Sequence, residues 1–393
     1  MTNEQRERLF SQADRAAKRA ILIRRELHRR PELSGQERET ALRISHRLQE
    51  LGIPYSVSDK HAVVGVIGTG REPAVGIRAD IDALPVLERS GLPFASENEG
   101  VMHACGHDMH TAILLGAAEV LKQRESELKG TVKLFFQPNE ETDGGAKDMI
   151  ADGCMDSPKV THTVSLHVNP FLPAGKAEFL EGHMNAAVTD MRIRVIGKSC
   201  HGAHPDGGCD AILVASQVVT ALQSIVSRSL APTDAGVVTI GSFHAGSKEN
   251  IIAGEAVLCG TLRALDNAVM DKLKEKVTLI AERTAEAFGA SAELYFKTGY
   301  PALINDAELT ASVEGVAAEL LGAENVIRMD APSLGADDFA YFANASQGCY
   351  FNIGAGGDWI AHPLHNADVI LNEDCIRVGI LLETGAALKI LED

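Results

Sequence analysis

The sequence predicts an α/β protein with a mostly parallel central sheet and a second, smaller domain inserted into the first. Three observations predict this fold. Short apolar runs alternate with helical segments in the first half of the chain, which is typical of a parallel sheet covered by helices. The middle of the chain follows the order βαββαβ, the order of a ferredoxin-like unit. A helix–strand–helix pattern then returns near the end, so the outer domain is discontinuous.

The outer domain is expected at residues 1–185 and 300–393. Its predicted helices have apolar residues at helical spacing, and Pro31 and Gly35 separate the first two. Its predicted strands are short, continuous apolar runs, as buried strands are. The predicted helices are 4–29, 36–51, 108–123, 307–320 and 373–391, and the predicted strands are 62–68, 74–81, 131–138, 161–168 and 349–355.

The inserted domain is expected at residues 186–299. Alternating or apolar runs of strand length flank two longer helical segments there, which gives the βαββαβ order. The predicted strands are 189–197, 236–244, 254–264 and 291–299, and the predicted helices are 209–229 and 267–288.

The charge and cysteine content limit the partners and the compartment of the 393-residue chain. Aspartate and glutamate number 54 against 37 lysines and arginines, a net charge of -17, which argues against nucleic acid as a partner. We expect neither a signal peptide nor a membrane anchor, because no basic, then apolar, leader and no run of about 18 apolar residues is visible. The seven scattered cysteines are typical of reduced thiols, so a cytoplasmic location is expected.

The densest group of chemically active side chains is the segment HACGHDMH, which contains His103, Cys105, His107, Asp108 and His110. Thiolate and imidazole are good ligands for zinc and similar ions. Cys105 and His107 are two positions apart, which suits a tight loop that turns both toward one ion. We expect Asp108 to be a carboxylate at the helix N-terminus and His110 to hold a neighbour by a hydrogen bond. The alternative is a polar helix start with incidental histidines.

Two adjacent glutamates, Glu140 and Glu141, follow an apolar strand in the segment QPNEE. Adjacent side chains at a strand end point in different directions, so one can bind metal while the other faces water or substrate. That division would supply a metal ligand and a general base. A solvated acidic loop is the alternative, and it is disfavoured by the HACGHDMH segment one strand earlier.

Further candidates lie at other strand ends and in a loop. His167 ends an apolar run, and His365 follows a glycine-rich loop, with His362 as its competitor. Asp80 and Asp82 follow another strand. Both aspartates could bind metal, but we expect them to orient the ligands and to tune the base.

These motifs, in their order along the chain, resemble a known family. The segments HRRPELSGQE, RADIDALPVLE, MHACGHDMHTA, QPNEE, GKSCHGAHP and LHNADV are similar to those of the aminoacylase, hippurate hydrolase and plant auxin-conjugate hydrolase group of metallopeptidases. The resemblance extends from about Ile23 to Leu388, and MHACGHD is its most specific string. It implies a metal-binding α/β domain with an inserted lid that often dimerises.

The resemblance also implies roles for individual residues. Glu140 would be the general base and acid, and Asp82 would support it. His201 on the lid would stabilise the oxyanion, in its own or the partner subunit, and Asn250 and Arg263 would hold the substrate carboxylate. The ligands of two divalent ions, either zinc, manganese, cobalt or nickel, would be Cys105, His107, Glu141, His167 and His365.

The resemblance implies a metal-dependent amidohydrolase that hydrolyses the amide bond of an N-acyl amino acid and that forms a homodimer through its lid. Water made more acidic by divalent ions would give its proton to Glu140, which would pass it to the leaving amine. The alternatives are a dipeptidase, an N-acetyl-diaminopimelate-type deacetylase, or a non-catalytic metal-binding scaffold.

At the helix start GADDFA, Asp337 stands where the family usually has Glu, and two further positions depart from the family pattern. Asn139 stands where the family usually has Ala, and Val168 stands where Pro is more usual. Neither departure removes a ligand. Because Asn139 adjoins the expected base, we expect it to influence substrate choice.

Overall fold

The structure is a computed structural model, and it describes residues 1–392. These residues separate into two compact units. The first unit comprises Met1–Gly182, Ile304–Ala331 and the described residues from Asp338 onward. The second unit comprises His183–Leu303 and Pro332–Asp337. The inserted domain was expected at 186–299, and the second unit also includes the separate segment Pro332–Asp337, which was not expected.

Helices and strands alternate along the described chain. The α-helices are α1 (Asn3–Arg29), α2 (Arg38–Glu50), α3 (His107–Gln123), α4 (Ala146–Ala151), α5 (Ala211–Leu222), α6 (Asn267–Ala287), α7 (Ala307–Leu321), α8 (Phe339–Ala345) and α9 (Asp374–Glu392). The strands are β1 (Tyr55–Val57), β2 (Val63–Gly68), β3 (Ala74–Asp80), β4 (Thr131–Gln137), β5 (His162–Pro173), β6 (Ala177–Phe179), β7 (Gly182–Asn185), β8 (Ala187–Ile196), β9 (Cys200–His201), β10 (Gly236–Ala245), β11 (Ile251–Ile252), β12 (Glu255–Ala264), β13 (Ser291–Thr298), β14 (Leu303–Asn305), β15 (Val326–Arg328) and β16 (Gln347–Gly356).

An eight-stranded sheet, in the order β1-β2-β4-β3-β5-β16-β6-β15, forms the centre of the first unit. The central neighbours β4, β3, β5 and β16 run parallel, whereas β2 is antiparallel to β4 and β6 to β16. The first unit is therefore an α/β fold with a mostly parallel central sheet, which confirms that part of the prediction. Parallel strands bring their carboxyl ends to one edge of the sheet, where ligands commonly bind.

Apolar burial explains why these segments form the central layer. Every residue of β3 and of β4 is buried, as expected for strands covered on both faces. Helices α3 and α9 are buried on nearly all sides and pack against each other. Helix α1 begins with a capping box between Thr2 and Gln5, and its buried residues, including Leu9, Ala13 and Ala16, recur at helical spacing.

The second unit contains a four-stranded antiparallel sheet in the order β10-β12-β8-β13. The chain order is β8, α5, β10, β12, α6 and β13, and both helices contact the sheet. Strand β10 lies at one edge. The helix expected at 209–229 is shorter than predicted, because α5 ends at Leu222 and a π-helical turn follows at Ile225–Ser229.

The segment Ala211–Ser229 is long and apolar enough to pass a simple test for a membrane-spanning helix. Its regular part, α5, has 12 residues, which corresponds to about 18 Å at 1.5 Å per residue. A bilayer core is roughly 30 Å thick. Helix α5 buries Val214, Val218 and Leu222 inside the second unit and leaves Ile212 and Leu213 exposed.

Glu383 on α9 is an unusual residue in the core of the first unit. It is 1% exposed, and neither carboxyl oxygen has a hydrogen-bond partner within residues 1–392. Burial raises the pKa of this carboxyl well above its usual value. The unfolded chain ionises the same group above about pH 4. The buried carboxyl therefore lowers the free energy of unfolding progressively as the pH rises from about 4 toward the raised pKa of Glu383.

We predict that Glu383→Gln, which removes this titration, increases the free energy of unfolding at pH 8 by roughly 1–3 kcal/mol over the wild type. The difference should become small at pH 5, where the unfolded chain binds the proton more often. Urea unfolding at both pH values measures it. Equal stabilities of wild type and variant at pH 8 would contradict a neutral, buried Glu383.

Candidate metal centre

The five predicted metal ligands lie together in the first unit. Sγ of Cys105 is 3.5 Å from Nε2 of His167 and 3.3 Å from Nε2 of His365. Oε1 of Glu141 is 3.2 Å from Nε2 of His365 and 3.8 Å from Nε2 of His107. Ligand atoms at 2.0–2.3 Å from one tetrahedral zinc ion are roughly 3.3–3.8 Å apart. These separations therefore suit bound metal ions.

The ligands form two overlapping groups that share the thiol of Cys105. One group is Cys105, His107 and His167, and the other is Cys105, Glu141 and His365. The ligand atoms within each group lie within 4.8 Å of one another. A thiolate common to both groups can serve two ions, which suits the two-metal centre that the resemblance implies.

Two buried atoms of the centre have charged neighbours but form no hydrogen bond to a described residue. Nε2 of His107 and Oε1 of Glu141 have no hydrogen bond to any described residue, although each is shielded from solvent. Buried polar atoms without partners are rare in folded proteins and require an explanation. Bound cations would satisfy both atoms, so the residues fit a metal centre.

The charges around the ligands also fit cations. Burial alone would lower the pKa of His107, but the carboxylates of Asp80 and Asp82 raise it to about 10. Burial, with the charges of Glu141 and other nearby carboxylates, raises the pKa of the Cys105 thiol well above its usual value. Both shifts reflect surplus negative charge that divalent ions would balance.

Hydrogen bonds at Nδ1 leave Nε2 of His107 and of His167 available to bind metal. Nδ1 of His107 lies 3.0 Å from the main-chain oxygen and 3.1 Å from Oδ1 of Asp82. Nδ1 of His167 lies 2.9 Å from the main-chain oxygen of Val168, and burial lowers the pKa of His167 to about 3. In each case Nδ1 donates its proton, which leaves Nε2 toward the other ligands.

The turn that presents Cys105 and His107 depends on Gly106. Gly106 precedes α3 with φ of 90°, a left-handed conformation that glycine adopts without strain. A Cβ atom at this position would be 2.5 Å from Cγ2 of Val168 and 2.9 Å from Cδ1 of Leu371. The His365 loop is attached to the same turn, because the N–H of His365 donates to the main-chain oxygen of Ala104 at 2.9 Å.

Asp82 connects three parts of the centre. Besides contacting His107, its Oδ2 accepts the hydroxyl of Ser34 at 2.7 Å and the N–H of Glu141 at 2.9 Å. Asp82 therefore contacts one predicted ligand, His107, through its side chain and the main chain of another, Glu141. Interactions with His107, Glu141 and Ser34 lower the pKa of Asp82 in spite of burial, which by itself would raise it.

Asp80 and His110 hold the strand that carries His167. Nδ1 of His110 lies 2.6 Å from Oδ1 of Asp80, and Nε2 of His110 accepts the N–H of Val168 at 3.1 Å. His110 therefore holds a neighbour by a hydrogen bond, as expected. The proline that is more usual at position 168 has no N–H to donate, so Val168 adds a contact.

Asp108 lies in the first turn of α3, as expected, and it is buried. Its Oδ2 accepts Nε–H of Arg24 at 2.7 Å and lies 2.8 Å from Nδ1 of His28. These charges hold the pKa of Asp108 well below its usual value although burial acts in the opposite direction. Asp108 is therefore engaged with α1.

The predicted base, Glu140, is buried beside the ligands. It is 7% exposed, and one of its oxygens lies within 4.8 Å of ligand atoms of His107 and Glu141. The preceding residue, Asn139, has φ of 63°, and its side-chain oxygen accepts the hydroxyl of Thr142. Glu140 thus follows a left-handed residue at the end of β4.

The substrate-contacting residues expected from the resemblance lie in the second unit. His201 on β9 pairs with Ile251 on β11, and the N–H of Gly202 donates to the main-chain oxygen of Asn250 at 2.8 Å. His201 and Asn250 are therefore neighbours. Arg263 lies on β12, in a different sheet, and its guanidinium donates to the main-chain oxygen of Leu334 at 2.7 Å.

Sequence reasoning assigned no role to Ser34 or Glu37, both in the HRRPELSGQE segment. The structure places Ser34 against Asp82 and Glu37 against Asn139. The polar motif in the loop between the first two helices indicated that these residues could be functional. Their distance in sequence from Asp82 and Asn139 gave no indication that they contact those residues.

Comparison with known proteins gives several matches. Residues 76–389 match the model of Peptidase family M20/M25/M40. The chain is 38% identical over 361 residues to an N-acetyl-L-cysteine deacetylase of Bacillus subtilis, covering 91% of this chain and 85% of that protein. It is 36% identical over 372 residues to a hippurate hydrolase of Campylobacter jejuni, and the match covers 94% of this chain and 96% of that protein.

A solved structure supports the same relationship. The YXEP protein of Bacillus subtilis, described as a dinuclear metal binding peptidase from the M20 family, superimposes with a TM-score of 0.84. It is 33% identical and covers 96% of this chain and 99% of its own. The fold and the ligand cluster define a metal-dependent hydrolase. With these matches, the chain belongs to peptidase family M20/M25/M40.

We predict that Gly106→Ala reduces bound metal and activity, because the new Cβ displaces Val168 and with it the adjacent ligand His167. Gly91→Ala is the matched control, since Gly91 also has a left-handed φ, of 71°, but nothing within 4 Å of a new Cβ. Both variants should lose about 1–2 kcal/mol to backbone strain. Metal content measured by mass spectrometry distinguishes them, and full metal content in Gly106→Ala would contradict the role of this turn.

Proposed function

We propose that this protein hydrolyses the amide bond of N-acyl amino acids, using two divalent ions per chain, of zinc, manganese, cobalt or nickel. The observation that carries the proposal is the convergence of five ligands around Cys105, with Glu140 buried beside them. The deacetylase and hippurate hydrolase relatives support it, because their names describe cleavage of N-acylated amino acids.

Bound divalent ions would polarise the acyl carbonyl and make a water molecule more acidic. The carboxylate of Glu140 would accept the proton of that water and later deliver it to the leaving nitrogen. His107, His167, His365, Cys105 and Glu141 would hold the ions. Asp82 would keep His107 and the main chain of Glu141 in place for these steps.

His201 would donate a hydrogen bond to the oxyanion. Its Nδ1 accepts the N–H of Ala203 at 3.1 Å, so the proton of the neutral ring resides on Nε2. A hydrogen-bond donor directed at the developing charge stabilises the transition state. His201 would act in its own or in the partner subunit.

Asn250 and Arg263 would bind the substrate carboxylate. A guanidinium has five N–H donors, so the bond from Arg263 to Leu334 does not exhaust them. Arg pairs with a carboxylate through two parallel hydrogen bonds, which would orient an amino acid product as well as its N-acyl precursor.

We also propose that the second unit is a ferredoxin-like lid through which the protein forms a homodimer in the cytoplasm. Its chain order β8, α5, β10, β12, α6, β13 supports the fold. The edge strand β10, which pairs on one side only with another described strand, and the exposed apolar residues Ile212, Leu213 and Phe243 support dimerisation. The free state of all seven cysteines is consistent with a reducing compartment.

Release of free amino acid from a panel of substrates tests the activity. The panel contains N-acetyl, N-benzoyl and longer N-acyl amino acids, N-acetyl-diaminopimelate and dipeptides, each with added zinc or manganese and after chelation. We predict metal-dependent release from N-acyl amino acids. Preferred release from dipeptides would favour a dipeptidase, and no release from metal-loaded protein would favour a scaffold.

We predict that Glu140→Gln lowers kcat by about a hundred- to ten-thousand-fold while the bound metal remains. The matched control is Glu141→Gln at the adjacent position, which should lose metal because Glu141 is a predicted metal ligand. Steady-state rates and metal content of both variants are measured together. Wild-type rates in Glu140→Gln would exclude Glu140 as the base.

We predict that replacing Ile212 and Leu213 on α5 with Glu converts the dimer to a monomer. Leu22→Glu is the control, because Leu22 is a similarly exposed leucine of the first unit. Analytical ultracentrifugation gives the mass of each protein. A monomeric wild type, or a double variant that remains dimeric, would contradict the proposed interface.

A further inference from the structure

A buried glutamate outside the ligand set contacts the segment that carries the proposed base. Glu37 follows the loop between α1 and α2 and is completely buried. Its Oε1 accepts the N–H of Gly35 at 2.8 Å and the N–H of Asn139 at 2.8 Å. Asn139 directly precedes Glu140, so this carboxylate fixes the main chain next to the base.

The position of Glu37 makes this contact unusual. Glu37 is the residue before α2, where a side chain ordinarily accepts a hydrogen bond from the first N–H groups of its own helix. Glu37 forms no such cap. Its acceptor is directed instead to a residue 102 positions later in the chain, which indicates a role in fixing that later segment.

One loop holds both ends of the three residues centred on Glu140. At one end, Asn139 is bound by Glu37, and its main-chain oxygen accepts the N–H of Gly144 at 2.9 Å. At the other end, the N–H of Glu141 donates to Asp82, which is itself held by Ser34 of the same loop as Glu37. The two attachments are separate, so one can be removed while the other remains.

We propose that Glu37 is a positioning residue for Glu140, which fixes the left-handed Asn139 so that the carboxylate of the base stays beside His107 and Glu141. The inference rests on the proposed role of Glu140. Because Asp82 still holds Glu141 when Glu37 is replaced, removing Glu37 affects proton transfer more than metal binding.

Glutamine can replace this function of Glu37, whereas alanine cannot. Burial raises the pKa of Glu37 to about 7, and both the ionised and the protonated carboxyl keep an oxygen that accepts the two N–H groups. Glutamine also has such an oxygen. Oε2 of Glu37 has no hydrogen-bond partner within residues 1–392, so exchanging it for an amide nitrogen breaks no existing bond.

The test compares Glu37→Ala, Glu37→Gln and Glu37→Asp with the wild type for kcat, KM and metal content, using the substrate that the panel identifies. A displacement of about 1 Å at a reacting group can reduce the rate by roughly a hundredfold. We expect Glu37→Ala to lose about ten- to a hundredfold in kcat at nearly unchanged KM and metal content. Glu37→Gln should stay within about threefold of the wild type.

Glu383→Gln is the matched control, because it also alters a buried carboxyl but one that accepts no hydrogen bond from any described residue. Its kcat should equal that of the wild type. If Glu37→Ala does not fold, the comparison of Glu37→Asp with Glu37→Gln decides, since the shorter side chain of Asp holds Asn139 less well. We then expect a lower kcat in Glu37→Asp.

Wild-type kcat in Glu37→Ala, or equal losses in Glu37→Ala and Glu37→Gln, would overturn the inference. If Glu37→Ala does not fold, equal kcat values of Glu37→Asp and Glu37→Gln would overturn the inference. Glu140→Gln separates this failure from failure of the proposed function. If Glu140→Gln is active, Glu140 is not the base and the proposed function of this residue fails. If Glu140→Gln is inactive but Glu37→Ala is active, only the positioning role of Glu37 fails.

Discussion

Buried negative charge at the carboxyl ends of β3 and β4 is the constraint on which the rest of the site depends. Carboxylates of Asp80, Asp82 and Glu141 lie 3.1–3.8 Å from the ring nitrogens of His107. Carboxylates repel one another strongly where water is excluded. Arg78 balances part of this charge through its ion pair with Asp80. Divalent cations would balance more of it, so metal binding and the stability of this region are linked.

The sequence predicted those elements whose pattern is long or continuously apolar. Helix α1 and the buried strands β3 and β4 lie within one or two residues of their predicted bounds. The short strands β6 and β15 were not predicted, because three residues carry too little periodicity. Strand β5 continues to Pro173, beyond the predicted 161–168, since its later residues pair with β16 rather than extending the apolar run.

The candidate site was predictable in its residue types and not in its connections. Thiol, imidazole and carboxylate groups in recognisable motifs identified the candidate ligands, which the structure brings together. The bonds from Glu37 to Asn139 and from Val168 to His110 join residues far apart in sequence, and a single sequence carries no distance between them. Asn139 has a main-chain role that was not anticipated: asparagine adopts a left-handed φ more readily than the alanine usual in the family.

The most direct test of the metal centre is a crystal structure of the zinc-loaded protein, with anomalous diffraction used to locate the ions. Two ions per chain are predicted, one bound by Cys105, His107 and His167 and the other by Cys105, Glu141 and His365. A single ion at full zinc occupancy, or two ions neither of which contacts Cys105, would contradict the shared-thiolate centre.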